Sequence, residues 1–146
     1  MTEIKTILLV EDNRQDEMLI LRALKKVNLA NQVDVVRDGQ QALDYLLREG
    51  EFSERGGPDL PTVVLLDISL PRVNGLDVLE RLRSTPRTSL VPVVILTSSD
   101  EEQDRLRSYR EGANSFVRKP LNFADFAEAV AKLGIYWLAI NSPCRG

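Results

Sequence analysis

The sequence predicts an α/β fold, a doubly wound, mostly parallel sheet of five strands alternating with five helices. Three observations carry this. Short, β-branched apolar runs recur along the chain, segments of helical period separate them, and most of the runs end on a polar residue rather than fading into a turn. The central run is Thr62-Val63-Val64-Leu65-Leu66-Asp67, bounded upstream by Gly57-Pro58 and Pro61. Four consecutive apolar residues read as a strand buried on both faces, as in a parallel sheet covered by helices. It ends on a carboxylate, and in open α/β sheets the crevice beyond the carboxyl ends of the strands is where ligands bind. Asp67 is therefore the first candidate for chemistry.

The chain has 146 residues, enough for one domain that buries about two-thirds of the surface its unfolded form exposes. We expect a single domain over 1–146, with a core at 4–133 and an extension of the last helix and tail at 134–146. Apolar residues make up 43% and charged residues 28%, and the net charge is −3. These are the proportions of an ordinary folded chain. No basic run with interleaved aromatics recommends nucleic acid as a partner. No apolar run approaches the ~18 residues of a membrane span, and the N-terminus lacks the plan of a signal peptide, so a cytoplasmic chain without membrane contact is expected. A single cysteine, Cys144, makes no internal disulfide and suits a reducing compartment. Histidine is absent. That excludes Ser-His-Asp and Cys-His nucleophiles, imidazole-ligated zinc and phosphohistidine on this chain. Proton transfer or nucleophilic attack must use carboxylates, lysine or hydroxyls.

The first strand is Thr6-Ile7-Leu8-Leu9-Val10, which also ends in acid, Glu11-Asp12. Asn13 can cap the first helix, whose apolar face is Ile20, Leu24 and Val27, with Arg14, Asp16, Glu17, Arg22, Lys25 and Lys26 largely opposite. Residues 33–36 form a short second strand. Asp38-Gly39-Gln40-Gln41 has acid at N-cap and glutamine at N3, a capping-box pattern, and opens a helix anchored by Ala42, Leu43, Leu46 and Leu47. Residues 50–61 read as an inserted loop near the length at which structureless loops become uncommon. After the third strand and its loop, Gly75 starts a helix with Leu76, Leu79 and Leu82 inward, stopped by Pro86. Residues 91–97 form the fourth strand, with Pro92 tolerated at its start and Thr97 at its end. Ser99 to Glu102 has capping-box spacing, but the helix it opens offers only Leu106 and Tyr109 as large apolar anchors, and should be the least firmly held. Ser115-Phe116-Val117-Arg118 is the last strand, followed by Lys119-Pro120. Asn122 caps a final helix with a long stripe of Phe123, Phe126, Ala127, Val130, Leu133 and Trp137.

In this architecture Glu11, Asp12, Asp67, Thr97 and Lys119 converge at the strand ends. Three carboxylates in one crevice require a cation. Two carboxylates, a backbone carbonyl and retained waters make the pattern of Mg²⁺. Lys119 and Thr97 suit the oxygens of a phosphoryl group. Asp67 is then either a third metal ligand or a carboxylate nucleophile that accepts phosphate.

The ordered set Val10-Glu11-Asp12-Asn13, Asp67 with Pro71 and Gly75, Thr97, and Lys119-Pro120 resembles the receiver domain of two-component response regulators. That resemblance implies the flavodoxin-like receiver fold with strand order 2-1-3-4-5. It implies Glu11 and Asp12 as the acid pair holding Mg²⁺, Asp67 as metal ligand and phospho-acceptor, and Ser69 lending its backbone carbonyl to the metal. It further implies Thr97 as the switch hydroxyl, Phe116 as the switch aromatic, and Lys119 as the phosphate-binding cation, joined to Pro120 by a cis peptide. The insertion before the third strand and the continuation Gly134-Ile135-Tyr136-Trp137-Leu138-Ala139-Ile140 resemble single-domain regulators that partner bacterial phytochrome histidine kinases.

Two departures from the common receiver pattern matter. Phenylalanine stands at 116 where tyrosine is often found. Ser69 and Ser99 stand where many receivers carry an acid or amide that positions water, so a long-lived aspartyl phosphate is expected.

The function expected is that of a phospho-acceptor which assists its own phosphorylation and dephosphorylation rather than an enzyme turning over a substrate. Its partners would be a sensor histidine kinase, a downstream phosphotransfer or effector protein, and a second copy of the chain through the face of the last helix, where Tyr136, Trp137 and Ile140 extend the apolar stripe. With thirteen residues after Leu133, an output domain on this chain is not expected. A receiver fold kept as an unphosphorylated binding module is the alternative. A carboxylate-nucleophile phosphohydrolase would use a second acid two residues after Asp67, where Ser69 stands. Flavin or dinucleotide binding lacks a glycine-rich phosphate loop after the first strand.

Overall fold

The computed structural model describes residues 6–27, 32–55, 60–97 and 102–118, together with Ala124 and Glu128, which are helical. In chain order the elements are β1 (Thr6–Val10), α1 (Arg14–Val27), β2 (Gln32–Val36), α2 (Gly39–Leu47), β3 (Val63–Leu66), α3 (Gly75–Ser84), β4 (Val93–Thr97), α4 (Glu102–Arg110) and β5 (Ser115–Arg118). The five strands form one sheet in the order β2-β1-β3-β4-β5, every pair parallel. This is the expected fold. Four of the five expected helices lie among the described residues. Most of the fifth, with Phe123, Phe126 and Trp137, lies outside them, as do Ser99 and the Lys119-Pro120 peptide bond.

The two-residue period of a strand, with both faces covered, explains why β1, β3 and β4 are apolar apart from Thr6 at the start of β1 and Thr97 at the end of β4. Leu8, Val10, Val64, Leu66, Val93 and Ile95 point to one face, where they meet Ala42, Leu43 and Leu46 of α2 and Leu76, Val78, Leu79 and Leu82 of α3. Ile7, Leu9, Val63, Leu65, Val94 and Leu96 point to the other, where Ile20, Ala23 and Leu24 of α1 cover them. A strand covered on both faces has no room for polar side chains until it ends. The carboxyl edge of the sheet is therefore where polar chemistry collects.

Local signals set the helix starts. Asn13 caps α1 by accepting the Asp16 N–H at 3.0 Å. Asn74 caps α3 by accepting from Leu76 at 2.8 Å, and α3 ends at Thr85, where Pro86 begins a 3-10 turn over Pro86–Thr88. Asp38 caps α2 by accepting from Gln41 at 2.8 Å. The reciprocal half of the capping box is shifted by one residue: the Gln41 amide oxygen accepts the N–H of Arg37 rather than that of Asp38.

Two expectations are corrected, and the inserted loop proves to carry structure of its own. Glu17, assigned to the solvent side of α1, is buried, because the guanidinium of Arg37 at the end of β2 donates to both its carboxylate oxygens at 3.0 Å. Tyr109, expected to anchor α4, is 51% exposed, and the buried residue beside it is Ser108, whose hydroxyl donates back to the Asp104 carbonyl. The insertion is not featureless. It opens with a 3-10 turn at Gly50–Phe52, Phe52 packs edge-on against Tyr45 at 5.4 Å, and the Arg55 guanidinium lies 4.0 Å over the same ring. Cation–π and aromatic contacts thus tie the insertion to α2, whose Tyr45 side chain points into that face.

Candidate functional site

Parallel pairing fixes the first part of the site. β1 and β3 are adjacent and in register at Val10 and Leu66, so the residues that follow them, Glu11 and Asp67, leave the sheet side by side. One further ladder bond, from the Asp67 N–H to the Val10 carbonyl at 3.2 Å, holds the Asp67 backbone to β1. On the other side of β1, the Glu11 N–H donates to the Val36 carbonyl of β2 at 3.1 Å. The backbones of both acids are therefore continuations of the sheet's hydrogen-bond ladder.

Carboxylate oxygens of Glu11, Asp12 and Asp67 all lie within 4.8 Å of one another, with Glu11 and Asp67 buried and Asp12 exposed. A Glu11 oxygen accepts the Asn13 N–H at 3.4 Å, and an Asp67 oxygen accepts the Ser69 N–H at 3.1 Å. Two like charges ~4 Å apart near a protein surface repel by about 4 kcal/mol. Such a cluster calls for concentrated positive charge. A hard divalent cation fits the donor set of three carboxylates, and the exposed side at Asp12 leaves room for the waters that Mg²⁺ retains.

The loop after Asp67 is built by close backbone approach. Gly75 donates its N–H to the Ile68 carbonyl at 2.9 Å, and a Cβ at Gly75 would stand 2.0 Å from the Asp67 carbonyl oxygen. Only glycine lets α3 begin that near Asp67. Two further turns close the loop, Leu70 N–H to Ile68 and Val73 N–H to Pro71, at 3.0 and 2.9 Å. Arg72 adopts a left-handed backbone at φ 69°. Ser69 is exposed on this loop.

The remaining expected residues are brought together in part. Thr97 closes β4 at the same carboxyl edge, opposite Arg118 of β5, while its side chain lies outside the described residues. Phe116 pairs with Ile95 and is partly buried against the core on the α2 and α3 face. Lys119 lies outside the described residues.

Gly39 is a residue that reading the sequence as helix signals passed over. A Cβ there would stand 1.9 Å from the Val73 carbonyl oxygen, and its N–H donates to the Pro71 carbonyl at 3.3 Å. The sequence carries only a weak signal, a glycine directly after a capping aspartate, and nothing in its spacing shows which element it abuts.

The sequence pattern of the response regulator receiver domain matches residues 7–131. The chain is 43% identical over 135 residues to a probable methanogenesis regulatory protein, FilR2, of Methanothrix harundinacea, covering 92% of this chain and 84% of FilR2. Its fold superposes on the crystal structure of the phosphorylated cyanobacterial phytochrome response regulator RcpA with a TM-score of 0.90 at 35% identity, covering 97% of this chain and 99% of RcpA. It superposes on the bacteriophytochrome response regulator RtBRR with a TM-score of 0.77 at 51% identity, covering 97% of this chain and 85% of RtBRR. Sequence pattern and fold agree over nearly the whole described chain, and the acids cluster where the parallel sheet opens; the protein belongs to the response regulator receiver family.

Proposed function

We propose that the chain is a phosphorylation-controlled regulator that takes a phosphoryl group from a sensor histidine kinase onto Asp67. The observation that carries this reading is the juxtaposition of Glu11, Asp12 and Asp67 within 4.8 Å at the ends of β1 and β3. In the transfer, a carboxylate oxygen of Asp67 forms a P–O bond as the P–N bond of the donor's phosphohistidine breaks, and the leaving imidazole nitrogen keeps the electron pair. Glu11, Asp12, Asp67 and the Ser69 carbonyl would hold Mg²⁺, which would supply positive charge against the phosphoryl oxygens. Lys119 supplies a second positive charge, and Thr97 donates its hydroxyl to the new phosphate. Phe116 follows Thr97 as the switch aromatic.

Similarity to RcpA and RtBRR supports a kinase of phytochrome type. The stripe of Phe123, Phe126, Val130, Leu133 and Trp137 supports output through association of two copies along the last helix, or through a downstream phosphotransfer or effector protein.

Intact-mass analysis after incubation with Mg²⁺ and a small acyl-phosphate donor tests this reading. One phosphoryl group is expected on the wild type, and none on Asp67→Asn or after chelation of the metal. An unmodified wild type, also refractory to phosphorylated phytochrome-type kinases, would instead support an unphosphorylated binding module.

A further inference from the structure

The junction between β2 and α2 touches both halves of the acidic site. At one end, the Val36 carbonyl accepts the N–H of Glu11 at 3.1 Å. Three residues on, Gly39 donates its N–H to the Pro71 carbonyl at 3.3 Å, in the middle of the loop that follows Asp67. The other backbone bonds seen in that loop run within it or to the start of α3, so Gly39 is its tie to a neighbouring element.

Glycine at this position has no conformational purpose. Positive φ occurs at Gly50 and Gly112 among the described glycines, not at Gly39. It also has a helical cost, of up to about 1 kcal/mol relative to alanine. Its purpose is space. A Cβ would stand 1.9 Å from the Val73 carbonyl oxygen, 2.6 Å from the carbonyl carbon and 2.7 Å from the Val73 Cβ. These are backbone and stem atoms that no rotamer change removes. Moving the oxygen from 1.9 Å to the 3.0 Å floor of real Cβ contacts requires a shift of at least 1.1 Å. The loop that must shift carries Ser69, whose N–H is bonded to the Asp67 carboxylate.

We propose that Gly39 is a positioning residue for the metal and phosphate site: its bare Cα lets α2 abut the loop after Asp67 and fixes the register of that loop against Glu11. This rests on the metal-dependent phospho-acceptor reading above. Sites of this kind tolerate displacements well below 1 Å, and outer-shell changes cost about 10-fold or more in metal affinity. Helix propensity alone predicts the opposite, a neutral or stabilising Gly39→Ala.

The test is Mg²⁺ titration followed through backbone amide shifts by NMR, with thermal unfolding beside it, on wild type, Gly39→Ala and Gly50→Ala. Gly50 lies in the insertion, with φ 54°, so alanine there strains the backbone away from the acids. The Mg²⁺ dissociation constant should rise about tenfold in Gly39→Ala and stay within twofold of wild type in Gly50→Ala. A Gly39→Ala constant within twofold of wild type overturns the proposal, and so does an equal rise in Gly50→Ala, which would mark a general effect of lowered stability. If Gly39→Ala does not fold, Asp38→Ala replaces it. That change withdraws the carboxylate that accepts the Gln41 N–H and loosens the start of α2 without adding an atom; weaker Mg²⁺ binding is expected, and unchanged binding overturns the proposal. Failure of the underlying reading looks different: the wild type itself would then show no saturable Mg²⁺ response that Asp67→Asn abolishes.

Discussion

Helices α2 and α4 are each nine residues long and each precedes or follows a strand of the same sheet, yet they are attached by different forces. Helix α2 buries Gly39, Ala42, Leu43, Tyr45 and Leu46. Of the side chains described on α4, namely Asp104, Arg107, Ser108, Tyr109 and Arg110, only Ser108 is buried. Among the described side chains, what ties α4 to α3 is polar: Arg107 donates to Asp77 in the first turn of α3 at 2.9 Å and lies 3.6 Å from Glu111. The segment after α4 is held the same way, since Arg83 of α3 donates to the carbonyl of Gly112 and to the Asn114 side chain. Apolar packing fixes a helix in one position because every shift opens a void. Exposed ion pairs fix it weakly and can re-form elsewhere. Among the described residues, the side of the sheet that bears on the loop after Asp67 is thus held by apolar packing, and α4 by polar contacts that can re-form.

Removing the main anchor of the rigid side should have the largest effect. Leu46 is fully buried in the core shared with α3, and Leu46→Ala should cost about 2–5 kcal/mol, read from urea unfolding. Amide protection in α2 and α3 should fall together with global stability. Loss confined to α2 would break the comparison, by showing that α2 is no better integrated than α4.

A smaller effect tests the polar side of α2. The Tyr45 hydroxyl donates to Asp34 at 2.5 Å, and its pKa is pushed up to about 12, first by burial and then by the Asp34 carboxylate. Because the folded value lies above the ordinary 10, the neutral phenol is the form that folding favours. Its contribution is complete below pH 10 and is lost as pH rises from 10 through 12. Tyr45→Phe should cost about 1 kcal/mol at neutral pH. The gap between the two proteins in urea midpoint should then close between pH 10 and 12; a constant gap across that range would show that the phenol is not held neutral by the fold.

Much of this was legible in the sequence. The apolar runs marked the five strands, and the convergence of Glu11, Asp12 and Asp67 follows from β1 and β3 being buried strands that end in acids, because a buried strand can change polarity only where it leaves the core; the strand order was implied by the resemblance to receivers. Glu17 and Gly39 were not legible. An acid in the first turn of an amphipathic helix reads as a helix-dipole partner on the solvent side, and nothing in its spacing shows that Arg37, twenty residues on, reaches across to it. Gly39 reads as an indifferent helix residue until the loop after Asp67 is brought against it. Tyr109 failed for a related reason: helical spacing tells which residues share a face, but not whether a neighbour covers that face.

The smallest predicted effect on stability is the most informative about α4. Arg107 and Asp77 are 44% and 55% exposed in their side chains, so Arg107→Ala should change global stability by about 1 kcal/mol or less. Hydrogen exchange should separate that from the local consequence. With the tie to Asp77 gone, the amides of α4 should lose protection while those of α2 and α3 keep theirs, the reverse of the joint loss expected for Leu46→Ala. The same local loss should appear in the wild type in about 1 M salt, where the screening length falls to ~3 Å and an exposed pair is weakened most. If α4 keeps its protection in both experiments, apolar contacts hold it after all, and the surface beyond Thr97 is as fixed as the acidic site it flanks.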